Sequence, residues 1–229
     1  MKFLILTLVS TMITHAAPEE IQDRFEAPDG DALSYLLVRP ADSSPDTKLP
    51  MVVFLHGSGE RGDDLELVKL HGPPKQALEG EGLPFVVLAP QCPAKQWWNS
   101  STVIALTKKI AKEQNIDPDR IHLTGLSMGG FGTWDIIAHA PELFASAVPI
   151  CGGGDPETAP TIKDLPIWAI HGEDDKVVPA AKTREMEKAL RDAGAKRLRT
   201  TYYPGVGHDS WTQAYNDPAL YAWMMMQSR

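Results

Sequence analysis

Apolar residues along this chain fall in short unbroken runs, and between those runs they recur at helical spacing. Met-Val-Val-Phe-Leu within residues 50–55 and Phe-Val-Val-Leu-Ala within 84–89 are the clearest runs. Continuous apolar stretches of this length fit parallel strands covered on both faces. Further strands are predicted over 121–126, 144–151, 166–170 and 198–203. Near the start, 22–27 and 32–39 flank Pro28-Asp29-Gly30-Asp31, which predicts a hairpin. Helical spacing predicts one or two short helices over 65–78, broken by Gly72-Pro73-Pro74. It predicts another over 100–114, with Ser100 or Ser101 as cap. Others follow over 130–140, over 179–194 with Pro179 in the first turn and Gly194 at the end, and over 217–226. Residues 41–48 and 152–164 read as loops. Strands alternating with helices predict an α/β fold: a mostly parallel central sheet, helices on both faces and no large cap.

One junction in this pattern is chemically loaded. The lead-in Ile121-His122-Leu123-Thr124 runs into Gly125-Leu126-Ser127-Met128-Gly129-Gly130, and a helical segment follows. Gly-x-Ser-x-Gly between strand and helix is the context of a nucleophile elbow. The serine sits in a strained turn, so the positions two before and two after it must be small. Glycine is 18 of 229 residues and serine 11, which leaves only ~0.07 accidental matches expected. The turn places the Ser127 hydroxyl at a helix N-terminus, where the Met128 N–H can point at an oxyanion.

A serine nucleophile needs a base, a carboxylate to hold the base, and oxyanion donors. In an open α/β sheet these lie past the carboxyl ends of strands. His208 follows the last strand in Pro204-Gly205-Val206-Gly207-His208, and imidazole suits a base near neutral pH. His171-Gly172-Glu173-Asp174-Asp175 follows the strand before it, so Asp174 or Asp175 can supply the carboxylate. His56 and His171 each precede a glycine and read as residues that hold turns. The loop His56-Gly57-Ser58-Gly59 should give the second oxyanion donor, the N–H of Ser58 or else of Gly59. Trp97 and Trp98 follow the 84–89 strand; Trp98 is the candidate wall of a substrate pocket. The acidic cluster after His171 has the spacing of neither a calcium loop nor a zinc helix, so no metal and no cofactor is expected.

The net charge of −8 argues against a nucleic-acid partner. Lys2, the apolar run over 3–13 and Thr14-His15-Ala16-Ala17 read as an export signal over residues 1–16, cleaved after Ala16 or Ala17. That run is too short to span a bilayer. The expectation is a secreted or periplasmic protein without stable membrane insertion, with residues 17–229 forming one catalytic domain. Cys92 and Cys151 should stay unpaired. Their strands are expected three positions apart, ~14 Å at about 4.8 Å per strand, beyond the ~7 Å a disulfide spans.

Together, Leu55-His56-Gly57-Ser58-Gly59-Glu60-Arg61-Gly62, Ala89-Pro90-Gln91-Cys92-Pro93 with Trp98, Gly125 to Gly130, His171 to Pro179 and Gly207-His208 resemble the α/β-hydrolase superfamily. Within it they resemble the phospholipase/carboxylesterase group of small serine esterases. They are also similar to predicted peptidases related to prolyl oligopeptidase. The resemblance implies that the second aspartate, Asp175, is the acid, and that the residue after His56-Gly57 serves the oxyanion. Dienelactone hydrolases use cysteine at the elbow; this chain has serine. The expected substrates are small or polysaccharide-linked carboxylic esters, with plant cell-wall acetyl or feruloyl esters as examples. A small-peptide or amide hydrolase, or a non-catalytic binding protein on the same scaffold, are the alternatives.

Overall fold

The structure is a computed structural model that describes residues 17–229 except 29, 42, 45, 46, 80 and 81. The expected export signal over 1–16 lies outside the described residues. In chain order the elements are β1 (Glu19–Glu26), β2 (Ala32–Arg39), β3 (Leu49–Leu55), α1 (Gly72–Glu79), β4 (Val86–Gln91), α2 (Ser100–Glu113) and β5 (Ile116–Leu126). Then come α3 (Met128–His139), β6 (Ser146–Ile150), α4 (Ala159–Ile162), β7 (Ile167–Gly172), α5 (Ala181–Asp192), β8 (Leu198–Tyr203), α6 (Trp211–Tyr215) and α7 (Pro218–Met225). Short 3-10 turns at Ser58–Glu60 and Leu65–Lys69 carry the chain from β3 to α1.

Eight strands form one sheet in the order β1-β2-β4-β3-β5-β6-β7-β8. The β1–β2 hairpin is antiparallel and pairs antiparallel with β4, while every pairing from β4 through β8 is parallel. Strand β3 shows why its run is wholly apolar. Met51, Val53 and Leu55 pack into the core on one face, with Leu106, Trp134 and Ile137. Val52 and Phe54 pack on the other, with Tyr215 and Met224. Both faces are dry, so neither can carry polar side chains. Register fixes the site: Leu55 at the end of β3 lies opposite Gly125 near the end of β5, so the loop after β3 leaves beside the elbow.

Local chemistry corrects several predicted boundaries. The cap of α2 is Asn99, not Ser100 or Ser101; its Oδ1 accepts from the N–H of Ser101 and of Thr102. Pro179 lies before α5 rather than in its first turn, since the helix begins at Ala181. The segment 152–164 contains the single turn α4, and α6 is an extra helix before α7. Cys92 and Cys151 are free and buried, with β4 and β6 three positions apart in the sheet.

Two buried histidines make the fold acid-sensitive. The Cys92 N–H donates to His56 Nε2 at 3.0 Å, so Nδ1 carries the proton toward the Gly57 carbonyl at 2.6 Å. Burial pushes His56 down to about 4. His122, in the middle of β5, touches Ser146 Oγ at 2.8 Å, and its Nε2 has no partner among the described residues. Burial first, then the Arg120 charge, push it down to about 3. Both folded values lie below that of a free histidine, so only the unfolded chain takes up protons as pH falls below about 6.5. Stability is therefore full above that value and declines through the window down to about pH 3. At pH 4.5 the two groups together remove on the order of 5 kcal/mol. The expected result is a melting temperature at least ~10 °C lower at pH 4.5 than at pH 7, with a measurable part of the drop removed in His122→Asn. Calorimetry showing equal melting at both pH values would contradict this account.

Candidate active site

Strand β5 ends where α3 begins, and Ser127 is the single residue between them. Its backbone takes φ 52° and ψ −115°, a region that costs a side-chain-bearing residue of order 1–3 kcal/mol. Close packing holds it there. A Cβ on Gly125 would lie 2.4 Å from the Gly129 carbonyl oxygen, and one on Gly129 would lie 2.0 Å from that of Leu55. The Ser127 N–H donates to Ile150 O at 3.0 Å and meets Cys151 Sγ at 3.3 Å.

The loops after β7 and β8 bring acid and imidazole to this hydroxyl. They touch closely: a Cβ on Gly172 would lie 2.2 Å from the Gly207 carbonyl oxygen. The N–H groups of Glu173 and Asp174 donate across to Tyr203 O and Val206 O. His208 Nε2 lies 2.9 Å from Ser127 Oγ, and His208 Nδ1 lies 2.7 Å from Asp175 Oδ2. A carboxylate only accepts, so Nδ1 carries the ring proton and Nε2 offers its lone pair to the serine O–H. The Trp211 ring stands edge-on to His208 with centroids 5.2 Å apart.

Asp175, not Asp174, makes these contacts, and its side chain is fully buried. Oδ1 accepts from Val177 N–H at 2.8 Å and Val178 N–H at 2.9 Å. Burial pushes the carboxyl up, but hydrogen bonds from His208, Val178 and Val177 outweigh it and hold the acid below its usual value. His171 adds a contact that residue order did not reveal. Its Nε2 lies 2.9 Å from Val178 O and 3.3 Å from Asp175 Oδ2. Both neighbours are acceptors, so Nε2 bears the proton; Nδ1 lies 2.7 Å from the Thr183 hydroxyl, which in turn lies 3.0 Å from the Gly152 carbonyl. Burial keeps this ring neutral by pushing its pKa down. His171 thus holds the turn, as expected, and also steadies the aspartate.

Met128 is the first residue of α3 and Ser58 the first of the 3-10 turn after β3. Neither N–H has a partner within its own helical turn. The Ser58 loop lies against the end of β5, since a Cβ on Gly57 would meet Leu126 Cδ1 at 2.8 Å. Trp98 is buried; its Nε1 donates to His56 O at 3.3 Å and its ring leans on His56. Trp97 is the exposed member of the pair, at 64%. Cys151, Asp175 and His208 bring possible ligand atoms within 4.8 Å of one another. The aspartate oxygens and imidazole nitrogens are already engaged as described, and burial pushes the Cys151 thiol up to about 12. A metal would have to break the Ser127–His208–Asp175 chain to bind there.

Residues 94–220, more than half of the chain, match the model of the Dienelactone hydrolase family. A bifunctional acetylxylan esterase/xylanase of Neocallimastix patriciarum is 26% identical over 160 residues, 67% of this chain and 23% of that protein. The crystal structure of a thermostable esterase superposes with a TM-score of 0.80 at 40% identity, over 92% of this chain and 63% of that one. A ferulic acid esterase superposes with a TM-score of 0.69 at 17% identity, over 91% and 96%; at that identity the likeness is one of fold. The chain spans about a quarter of the bifunctional enzyme and under two thirds of the thermostable esterase. The superfamily resemblance read from the motifs agrees with these matches, and the open, mostly parallel sheet is that of the esterase neighbours.

Proposed function

This chain belongs to the dienelactone hydrolase family, and on that premise we propose that it is a secreted serine carboxylesterase acting on small or polymer-attached carboxylic esters. The observation that carries the reading is the unbroken chain from Ser127 Oγ through His208 to Asp175, with contacts of 2.9 and 2.7 Å. Ser127 Oγ attacks the ester carbonyl carbon as His208 Nε2 takes its proton. The N–H groups of Met128 and Ser58 hold the resulting oxyanion. His208 returns the proton to the departing alkoxide, leaving an acyl group on Ser127. Water then attacks that acyl carbon, gives its proton to His208, and the acid and free serine are released. Cysteine chemistry is disfavoured here, because the thiol beside Ser127 is fully buried and its pKa is raised to about 12.

A fluorophosphonate probe should label native protein at Ser127, and p-nitrophenyl esters should turn over far faster than matched anilides. Labelling without ester turnover, or anilides cleaved as fast as esters, would move the assignment to an amide hydrolase. No labelling and no turnover would leave a binding protein on a hydrolase scaffold. Export rests on residues 1–16; a mature N-terminus other than Ala17 or Pro18 in the secreted protein would refute the cleavage expectation.

A further inference from the structure

Trp97 is the one aromatic side chain among the large apolar residues exposed within the described chain, which are Leu70, Trp97, Val177 and Met226. Trp97 forms a wall common to two cavities. One, of about 360 Å³, runs beside the elbow helix past Phe131, Gly153 and Lys182. The other, of about 470 Å³, reaches toward the β1–β2 hairpin, with exposed Arg24, Asp63 and Gln96 on its walls.

The indole is also held in place relative to the reacting atoms. Arg61 donates from Nε to the Ser58 carbonyl at 3.0 Å and from Nη1 to the Gln96 carbonyl at 3.1 Å. The residue before Trp97 is thereby tied to the oxyanion loop. On its other side Trp97 meets the Phe131 ring edge-on, with centroids 6.1 Å apart. Phe131 itself donates its N–H to Ser127 O, so it stands one helical turn beyond the nucleophile.

We propose that Trp97 is a platform for a sugar ring, and that the outer cavity seats the neighbouring sugars of a polysaccharide whose ester reaches Ser127. The proposal rests on the esterase reading and narrows its substrate to glycan-linked esters. The face of an indole carries partial negative charge and matches the C–H faces of a pyranose, while a mixed polar wall matches its hydroxyls. A long acyl chain would instead call for a continuous apolar channel, and the outer cavity carries charged and amide side chains.

Two measurements test this. Heat changes are measured by titration calorimetry of the wild type and the Trp97 variants with xylohexaose, cellohexaose and mannohexaose, none carrying an ester, so the outcome does not depend on turnover or on the indole as a reporter. A saturable change with at least one of them, lost in Trp97→Ala and partly kept in Trp97→Phe, supports the platform; no change with any of them overturns it. In parallel, kcat/KM is measured on acetylated xylo-oligosaccharides and on p-nitrophenyl acetate. Trp97→Ala should lower the ratio of the two by about 10-fold, mainly through KM on the oligosaccharide, the size expected for one aromatic contact. An unchanged ratio overturns the platform. Failure of the wild type on p-nitrophenyl acetate would count against the esterase reading, with the titration still reporting on sugar binding.

Discussion

Ser127→Ala is expected to lower kcat on p-nitrophenyl acetate by about 10⁴- to 10⁶-fold, the loss seen when a triad nucleophile is removed, with little change in melting temperature. Among the described residues the hydroxyl hydrogen-bonds to His208 alone. The backbone bonds that hold the turn, Ser127 N–H to Ile150 O and Phe131 N–H to Ser127 O, do not involve it. A second substitution separates chemistry from strain. Alanine keeps the Cβ that makes φ 52°, ψ −115° costly, whereas glycine removes it. Strain relief of about 1–3 kcal/mol exceeds the ~1 kcal/mol that glycine loses in chain entropy. Ser127→Gly should therefore be as inactive as Ser127→Ala and melt higher. Wild-type-like turnover in either variant would place the nucleophile elsewhere. A glycine variant melting below the alanine variant would show that the turn is not strained.

The elbow was legible in the sequence because its constraint is steric and local: two glycines at fixed offsets from a serine, between an apolar run and a helix. His208 was legible because chain order and a strand end place it; the same reasoning left Asp174 and Asp175 both open, and only the family resemblance pointed to Asp175. Side-chain direction within loops was not legible. Trp97 and Trp98 are adjacent and chemically identical, and no periodicity in a loop says which one turns inward; the structure buries Trp98 under His56 and leaves Trp97 out. Asn99-Ser100-Ser101 offers three capping residues in a row, and the choice fell to the amide that reaches two N–H groups at once. Pro179 fell outside its helix because the residues before it are otherwise engaged. The Val178 N–H serves Asp175, and the Val178 carbonyl serves His171. The His171–Asp175 contact was hidden for the same reason, since four residues apart has no set geometry outside a helix.

Gly129→Ala should cost more stability than any other single methyl group near the site, and helix propensity predicts the opposite sign. Gly129 is the second residue of α3, where alanine would ordinarily gain up to about 1 kcal/mol. Its Cβ, however, would lie 2.0 Å from Leu55 O, 2.5 Å from Leu55 C and 2.8 Å from His56 O. All three are backbone atoms of the end of β3 and the first residue beyond it, so no rotamer change relieves the clash. Either α3 or the end of β3 must move. The expected loss is at least ~4 kcal/mol, the range of severe overpacking. That corresponds to a melting temperature about 10 °C lower, or to failure to accumulate as soluble protein. Any protein that does fold should have lost turnover, because the displacement separates the Met128 and Ser58 N–H groups that the proposed mechanism sets on one oxyanion. Gly59→Ala and Gly207→Ala supply the contrast. Neither would bring a Cβ within 4 Å of another atom, and neither residue has a left-handed backbone. Both should melt within about 2 °C of the wild type. Should Gly129→Ala melt at or above the wild type, helix and strand cannot be in contact at that point. The close approach that lifts Ser127 above the sheet would then have to be abandoned.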